Sequence, residues 1–325
     1  MQLTKKMIEA RRNLEQRIDS IAERLQANSK TKHQALRVRA DATTFGCDRV
    51  QMRELKAHPR FHCFRDNFVR RAKPTDFLAY GRIARFRCKD NKGRFQIYYK
   101  PQWGNLPRYR IEFFPDDRLG LRLEEISSVL ELTVRPRLIR LEIAFDFGPS
   151  SGVHGGYIRR FSIFGKCRPN SVQVRPNYDA WGSRKSSMFV RSYFKKEIGA
   201  HRLELQLNNR FLRKHKIDSV FEFQRLVDLL PTRQIFFGRI DEQRLIGWLR
   251  DRLHRSAGDT HRILRTLHVL EGHLSEALSY LRQSEHLTNT RRLLIPLDTN
   301  RFVLQALRKW AATWPNAPST LRTRK

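Results

Sequence analysis

Apolar residues alternate with polar ones through the middle of the chain and recur at helical spacing toward its two ends. From Leu3 to about Ala27, Met7, Ile8, Leu14, Ile18, Ile21 and Leu25 recur at roughly helical spacing with charges between them, which predicts an amphipathic helix. That helix is either one half of a dimer contact or a cover for its own domain. Residues 28–75 are mixed and rich in Arg and His, and the pattern assigns them no element. Arg82–Arg87 and Arg94–Tyr98 each alternate around the turn-forming run Lys89-Asp90-Asn91-Lys92-Gly93, which predicts a hairpin. Arg108–Phe113 reads as a further strand before Pro115, and Leu119–Leu132 as a helix ended by Pro136.

The clearest strand is Leu138–Phe147, with Leu141, Ile143, Phe145 and Phe147 on one face and Arg140, Glu142, Ala144 and Asp146 on the other. After a Gly/Ser-rich stretch come strands at Met188–Lys195 and His201–Leu207. Helices are predicted at about 218–229, 241–254, 258–282 and 299–313, then a loose basic tail from Asn316. The expectation is an α+β protein: a central antiparallel or mixed β-sheet carrying the active site, an N-terminal helix and a helical C-terminal third. Its regions would be 1–75 (helical and basic), 76–215 (β-rich) and 216–325 (helical).

Charge narrows the class of partner. The 325 residues hold 65 Lys plus Arg against 32 Asp plus Glu, a formal net charge of +33. Such a surface repels itself and gains binding energy only from a strongly anionic partner. Nucleic acid fits best, because each neutralised phosphate releases counterions. An anionic membrane would call for a basic amphipathic helix or lipid anchor, whereas the basic residues here run from end to end. Arginine outnumbers lysine, which suits bidentate phosphate binding and equally suits codon bias in a GC-rich genome. Cys47, Cys63, Cys88 and Cys167 form no CxxC pair or zinc-ligand spacing, and no apolar run of about 18 residues spans a membrane. A reducing cytoplasm is the expected location.

Three strand faces could carry chemistry. Glu142 and Asp146 lie four apart on one strand, about 13 Å if it is straight, so they chelate one ion only with help. If His201–Leu207 is a neighbour, Glu204 joins them, and three carboxylates form an oxygen site for Mg²⁺ or Mn²⁺. The alternative is that all three are salt-bridged to this very basic chain. Tyr193 stands between Arg191 and Lys195 on its strand face. Adjacent positive charge favours a phenolate, which can attack a phosphodiester; a tyrosine in a strand is otherwise a packing residue.

The run Gly182-Ser183-Arg184-Lys185-Ser186, then Arg191-x-Tyr193-x-Lys195, Glu197 and Arg202-Leu203-Glu204-Leu205, resembles the signature of the replication initiation factor family. These are trans-acting rolling-circle initiators of plasmids and filamentous phages, related to relaxases of integrative elements. Arg110–Pro115 and Arg140–Asp146 fit the same series, so the resemblance covers residues 108–210. It departs at Phe194, where the family commonly carries Asp or Asn, and at Glu142, where it carries Asp. The resemblance implies a bacterial cytoplasmic enzyme that nicks one origin strand through Tyr193, stays on its 5′ end and later rejoins it. It implies Arg191 and Lys195 as catalytic partners, and Glu142, Asp146 and Glu204 as ligands of Mg²⁺ or Mn²⁺. Arg184, Lys185, Lys196 and Arg202 would hold the DNA, and Glu112 is a weaker acidic candidate.

The other large class of rolling-circle initiators uses a His-x-His metal site, and none occurs among the 11 histidines. There is no GxxxxGK[ST], so unwinding needs a separate host helicase. The competing expectations are a non-catalytic basic DNA-binding protein, and a relaxase using the same chemistry in conjugative transfer.

Overall fold

The computed structural model describes residues 36–70, 78–116, 120, 122–164, 173–174, 177–253, 258, 262, 265 and 290–314. The helices expected at 3–27 and at 258–282, the basic tail and Cys167 lie outside, or almost wholly outside, the described residues.

Strands run in the order β1 (Leu36–Cys47), β2 (Arg49–Val50), β3 (Phe61–Phe68), β4 (Tyr80–Cys88), β5 (Arg94–Pro101), β6 (Tyr109–Phe114), β7 (Thr133–Val134) and β8 (Arg137–Phe147). They continue with β9 (Ser162–Phe164), β10 (Gln173–Val174), β11 (Asp179–Trp181), β12 (Met188–Lys195), β13 (Ala200–Asn208), β14 (Ile235–Ile240) and β15 (Leu294–Pro296). The helices are α1 (Met52–Ala57), α2 (Leu123–Leu130), α3 (Gly155–Phe161), α4 (Asn209–Lys214), α5 (Gln224–Leu229), α6 (Glu242–Leu253) and α7 (Thr299–Ala311).

Ten strands form one sheet in the order β10-β11-β12-β13-β8-β1-β6-β5-β4-β3, and every pairing is antiparallel. The α+β class therefore stands, with an antiparallel sheet of the two forms expected. Residues 36–68, left unassigned by the hydropathy pattern, supply the central strand β1 and the edge strand β3. In β1, Leu36, Val38 and Ala40 alternate with Arg37, Arg39 and Asp41 until a bulge between Ala40 and Thr43 resets the period. The C-terminal third is not wholly helical: β14 pairs with β9 and β15 in a three-stranded sheet. Its run Ile235-Phe236-Phe237 follows Pro231 and is too short for a helix of its own.

One face of the large sheet is apolar. Phe45, Phe86, Phe95 and Phe113 interlock there, the rings of Phe86 and Phe95 stacked 4.7 Å apart. Helix α7 packs on β1 and on α5, with Trp310 and Trp314 around Phe223, while Ile126 and Val129 of α2 join the same core. Burying this many large side chains, at about 25 cal/mol per Å² of apolar area, is what holds the sheet to its helices. Among the described residues, no helix is long and apolar enough to cross a membrane.

Candidate active site on the polar face of the sheet

Residues directly opposite in an antiparallel pair project to the same face. Pairing β12 with β13, β13 with β8, and β8 with β1 sets Tyr193, Arg202, Asp146 and Arg37 in one row across four strands. The next row is Arg191, Glu204, Ala144 and Arg39, and Gln206 faces Glu142 beyond it. Period-two alternation thus brings every acidic candidate of the sequence onto one face together with the tyrosine.

Two clusters form on that face. In the first, Tyr193 Oη donates to Glu204 Oε2 at 2.8 Å, and Arg191 Nη2 donates to Glu204 Oε1. The same Nη2 lies 3.7 Å from Glu142 Oε2, Arg140 donates to Glu142 Oε1, and the Arg191 guanidinium sits 5.9 Å from the centroid of the Tyr193 ring. In the second, Arg202 donates to Asp146 through Nε (2.6 Å) and Nη2 (3.2 Å) and to Asp41 Oδ2 through Nη1 (2.6 Å). Arg39 Nε meets Asp146 Oδ2 at 3.0 Å. Arg39, Glu142, Asp146, Arg202 and Glu204 are all buried, and Arg202 is 0 % exposed.

This arrangement revises three expectations. Arg202, expected on the DNA backbone, is enclosed and fully engaged by Asp146 and Asp41. Asp146, expected beside Glu142 and Glu204 as a metal ligand, is held in the second cluster instead. The phenol of Tyr193 is pushed upward, not downward, from its ordinary range: burial is the largest cause, then the charge of Glu204 and the hydrogen bond to it, with Arg191 pulling the other way. At neutral pH it is a neutral donor. Phe194 projects to the opposite face and is 57 % exposed, so it is not a neighbour of the phenol.

Arg184 and Lys185 are exposed on the Gly182–Ser186 turn, whose carbonyls are pinned from the polar face: Asn208 Nδ2 donates to Arg184 O (3.0 Å) and Ser186 O (2.5 Å). Lys196 is exposed in the turn after β12, and Lys195 is half-buried, its charge acting on Asp146. Glu112 lies on the same face two strands away from Glu142, bonded to Arg110 and to Gln96 Nε2 (2.8 Å). Asp41 and Arg39 are the site residues the sequence did not offer; the alternation over Leu36–Asp41 was the signal for them.

For a divalent cation the donors would be Glu142 and Glu204. Burial and then the charge of Glu204 push the Glu142 carboxyl up to about 7, the repulsion that a small cation between them would relieve. Two carboxylates suit Mg²⁺ or Mn²⁺, which take their other ligands from water and phosphate. Arg191 would have to yield its place. Among the described residues no group of three or more His, Cys, Asp or Glu gathers to hold a metal. The Nε–H groups of Arg140 and Arg191 are buried without a hydrogen-bond partner, leaving donors for an oxyanion.

No protein-family model matches the chain, and no curated protein is similar to it in sequence. Among solved structures, 63 % of the chain is similar to 88 % of the rolling circle replication initiator protein from Geobacillus stearothermophilus, at 13 % identity and a TM-score of 0.38.

Proposed function

We propose that this protein is a site-specific DNA nicking and joining enzyme that initiates rolling-circle replication through Tyr193. The observation that carries the reading is the 2.8 Å hydrogen bond from Tyr193 Oη to Glu204, on a buried face where Arg191 reaches both Glu204 and Glu142. A phenol needs a base before it can attack, and Glu204 is in line to take its proton. The Tyr193 oxygen forms the new bond to phosphorus, the bond to the 3′ oxygen breaks, and that oxygen leaves as a hydroxyl. The strand's 5′ end is then held as a phosphotyrosine ester, and reversal by a free 3′ hydroxyl rejoins it.

Arg191 and Arg140 supply donors for the phosphate oxygens as charge builds on them. Glu142 and Glu204 would hold a Mg²⁺ or Mn²⁺ ion, which supplies polarisation of the scissile phosphate. Arg184, Lys185 and Lys196, all exposed, would grip the backbone on either side. Opening of the origin duplex falls to a host helicase. A relaxase would use the same atoms. The competing reading, a binder with no chemistry, is favoured by one observation: the acids of both clusters are already paired with arginines.

The test uses end-labelled single-stranded fragments of the replicon that carries the gene, with Mn²⁺ or EDTA, resolved on denaturing gels. A covalent adduct on the 5′ end of the downstream fragment is expected, absent in Tyr193→Phe and strongly reduced in Glu204→Gln. Tight binding with no adduct on any fragment would leave the binder.

A further inference from the structure

The polar face does not end at the acidic clusters. It continues over β6, β5, β4 and β3, where its character changes. The register sets His62, Arg87, Arg94 and Phe114 in one row, and Arg65, Arg85, Gln96 and Glu112 in the next. Arg65, Arg85, Arg87 and Arg94 form no ion pair among the described residues, and all but the half-buried Arg85 are exposed. Two of these guanidiniums lie against rings instead, Arg87 4.7 Å from the Phe64 centroid and Arg94 5.4 Å from Phe114, and Arg110, though paired with Glu112, lies 5.9 Å from Tyr98. Phe64 is 41 % exposed, turned outward by the bulge between Cys63 and Arg65.

A groove of about 1250 Å³ adjoins this patch. Arg87, Lys92, Arg94 and Phe114 line it together with the acids Asp41, Asp116 and Glu197. Asp41 is bonded to Arg202, the residue directly opposite Tyr193, and Glu197 lies in the turn that leaves the Tyr193 strand. The groove therefore reaches the neighbours of the Tyr193 strand, Asp41 and Glu197, and leads out over Arg87 and Arg94.

We propose that this groove and the β3–β6 face form a track for an unpaired DNA strand leading to or from Tyr193. The proposal rests on the nicking reading for the direction of the strand. The chemistry of the track stands apart from it. Unpaired phosphate-seeking guanidiniums bind the backbone, while exposed rings and planar guanidiniums offer stacking surfaces that only unpaired bases can use. Seven strand spacings separate β12 from β3, about 33 Å. A duplex keeps its base faces inside and would gain nothing from Phe64.

The test is fluorescence anisotropy on the full chain with a labelled thymidine 20-mer and a labelled duplex of equal length. Arg85→Ala/Arg87→Ala/Arg94→Ala is compared with Arg301→Ala/Arg308→Ala/Lys309→Ala, which removes the same charge from α7 on the other side of the sheet. The track variant should weaken binding of the single strand at least tenfold and the α7 variant less than about threefold. Phe64→Ala should weaken single-strand binding alone. The charge-conserving Arg85→Lys/Arg87→Lys/Arg94→Lys guards against misfolding and should still lose affinity, through loss of stacking. Equal losses in the track and α7 variants, or a duplex preference untouched by Phe64→Ala, would overturn the track. Adduct formation is scored separately in each protein. If the wild type forms none while the track variant loses strand binding, the nicking reading falls and the track stands; the reverse pattern sinks the track alone.

Discussion

The two halves of one sheet face use arginine in opposite ways. Over β12, β13, β8 and β1, Arg39, Arg140, Arg191 and Arg202 are each matched to a carboxylate within the sheet, and the acids are sealed from water. Over β3, β4 and β5, Arg65, Arg85, Arg87 and Arg94 have no such match and reach solvent or rings. Both halves obey the same period-two rule, so the difference lies in what stands opposite each arginine. In a protein of net charge +33, matched arginines hold a geometry, and unmatched ones are left to meet an outside anion. Position alone separates a structural guanidinium from a binding one.

The largest break in that comparison comes from removing a matched arginine. Arg202→Met strips two hydrogen bonds from buried Asp146, which keeps Arg39, and one from half-buried Asp41, and should cost about 3–5 kcal/mol in urea denaturation. The equivalent Arg85→Met should change stability by less than about 0.5 kcal/mol. A similar loss at both sites would erase the distinction.

Acid should reveal a second asymmetry. His201, under the matched half and 2.9 Å from Ser192 Oγ, has its pKa drawn down to about 4 by burial and then by the charge of His154. An unfolded histidine takes its proton near pH 6.5, so the unfolded chain binds a proton that the folded one refuses. Stability is then full above about pH 6.5 and falls as pH drops toward 4, by up to about 3 kcal/mol. His201→Asn should flatten that segment of the stability–pH curve; an unchanged slope would exclude His201 as its source.

The smallest effect concerns Phe194. Its side chain faces away from Tyr193, so Phe194→Asn should leave adduct formation unchanged and stability within about 0.5 kcal/mol. Loss of adduct there would mean that the opposite face feeds into the site.

The strands that carry the site were legible because each alternates without interruption: Leu138–Phe147, Met188–Lys195 and His201–Leu207 all lie within the observed β8, β12 and β13. β1 was not, because its bulge shifts the period midway and its polar positions resemble a basic loop. The expected lowering of the Tyr193 phenol failed for a reason of the same kind. Sequence shows Arg191 and Lys195 two residues away, but the group in contact is Glu204, eleven residues on and brought beside it by the β12–β13 register. The burial of Arg202 likewise depends on Asp41, 161 residues distant.

The outer edge of β3 has one more consequence. Among the described residues it is the last strand of the sheet on that side, and an edge row of backbone donors and acceptors invites a second chain to extend the sheet. The bulge between Cys63 and Arg65 interrupts that row, and exposed Arg60, Arg65 and Arg70 put like charge along any such seam. These edge arginines, Arg65 of the proposed track among them, therefore also oppose the pairing of two copies of the protein. Neutralising them should trade strand affinity for a tendency to aggregate.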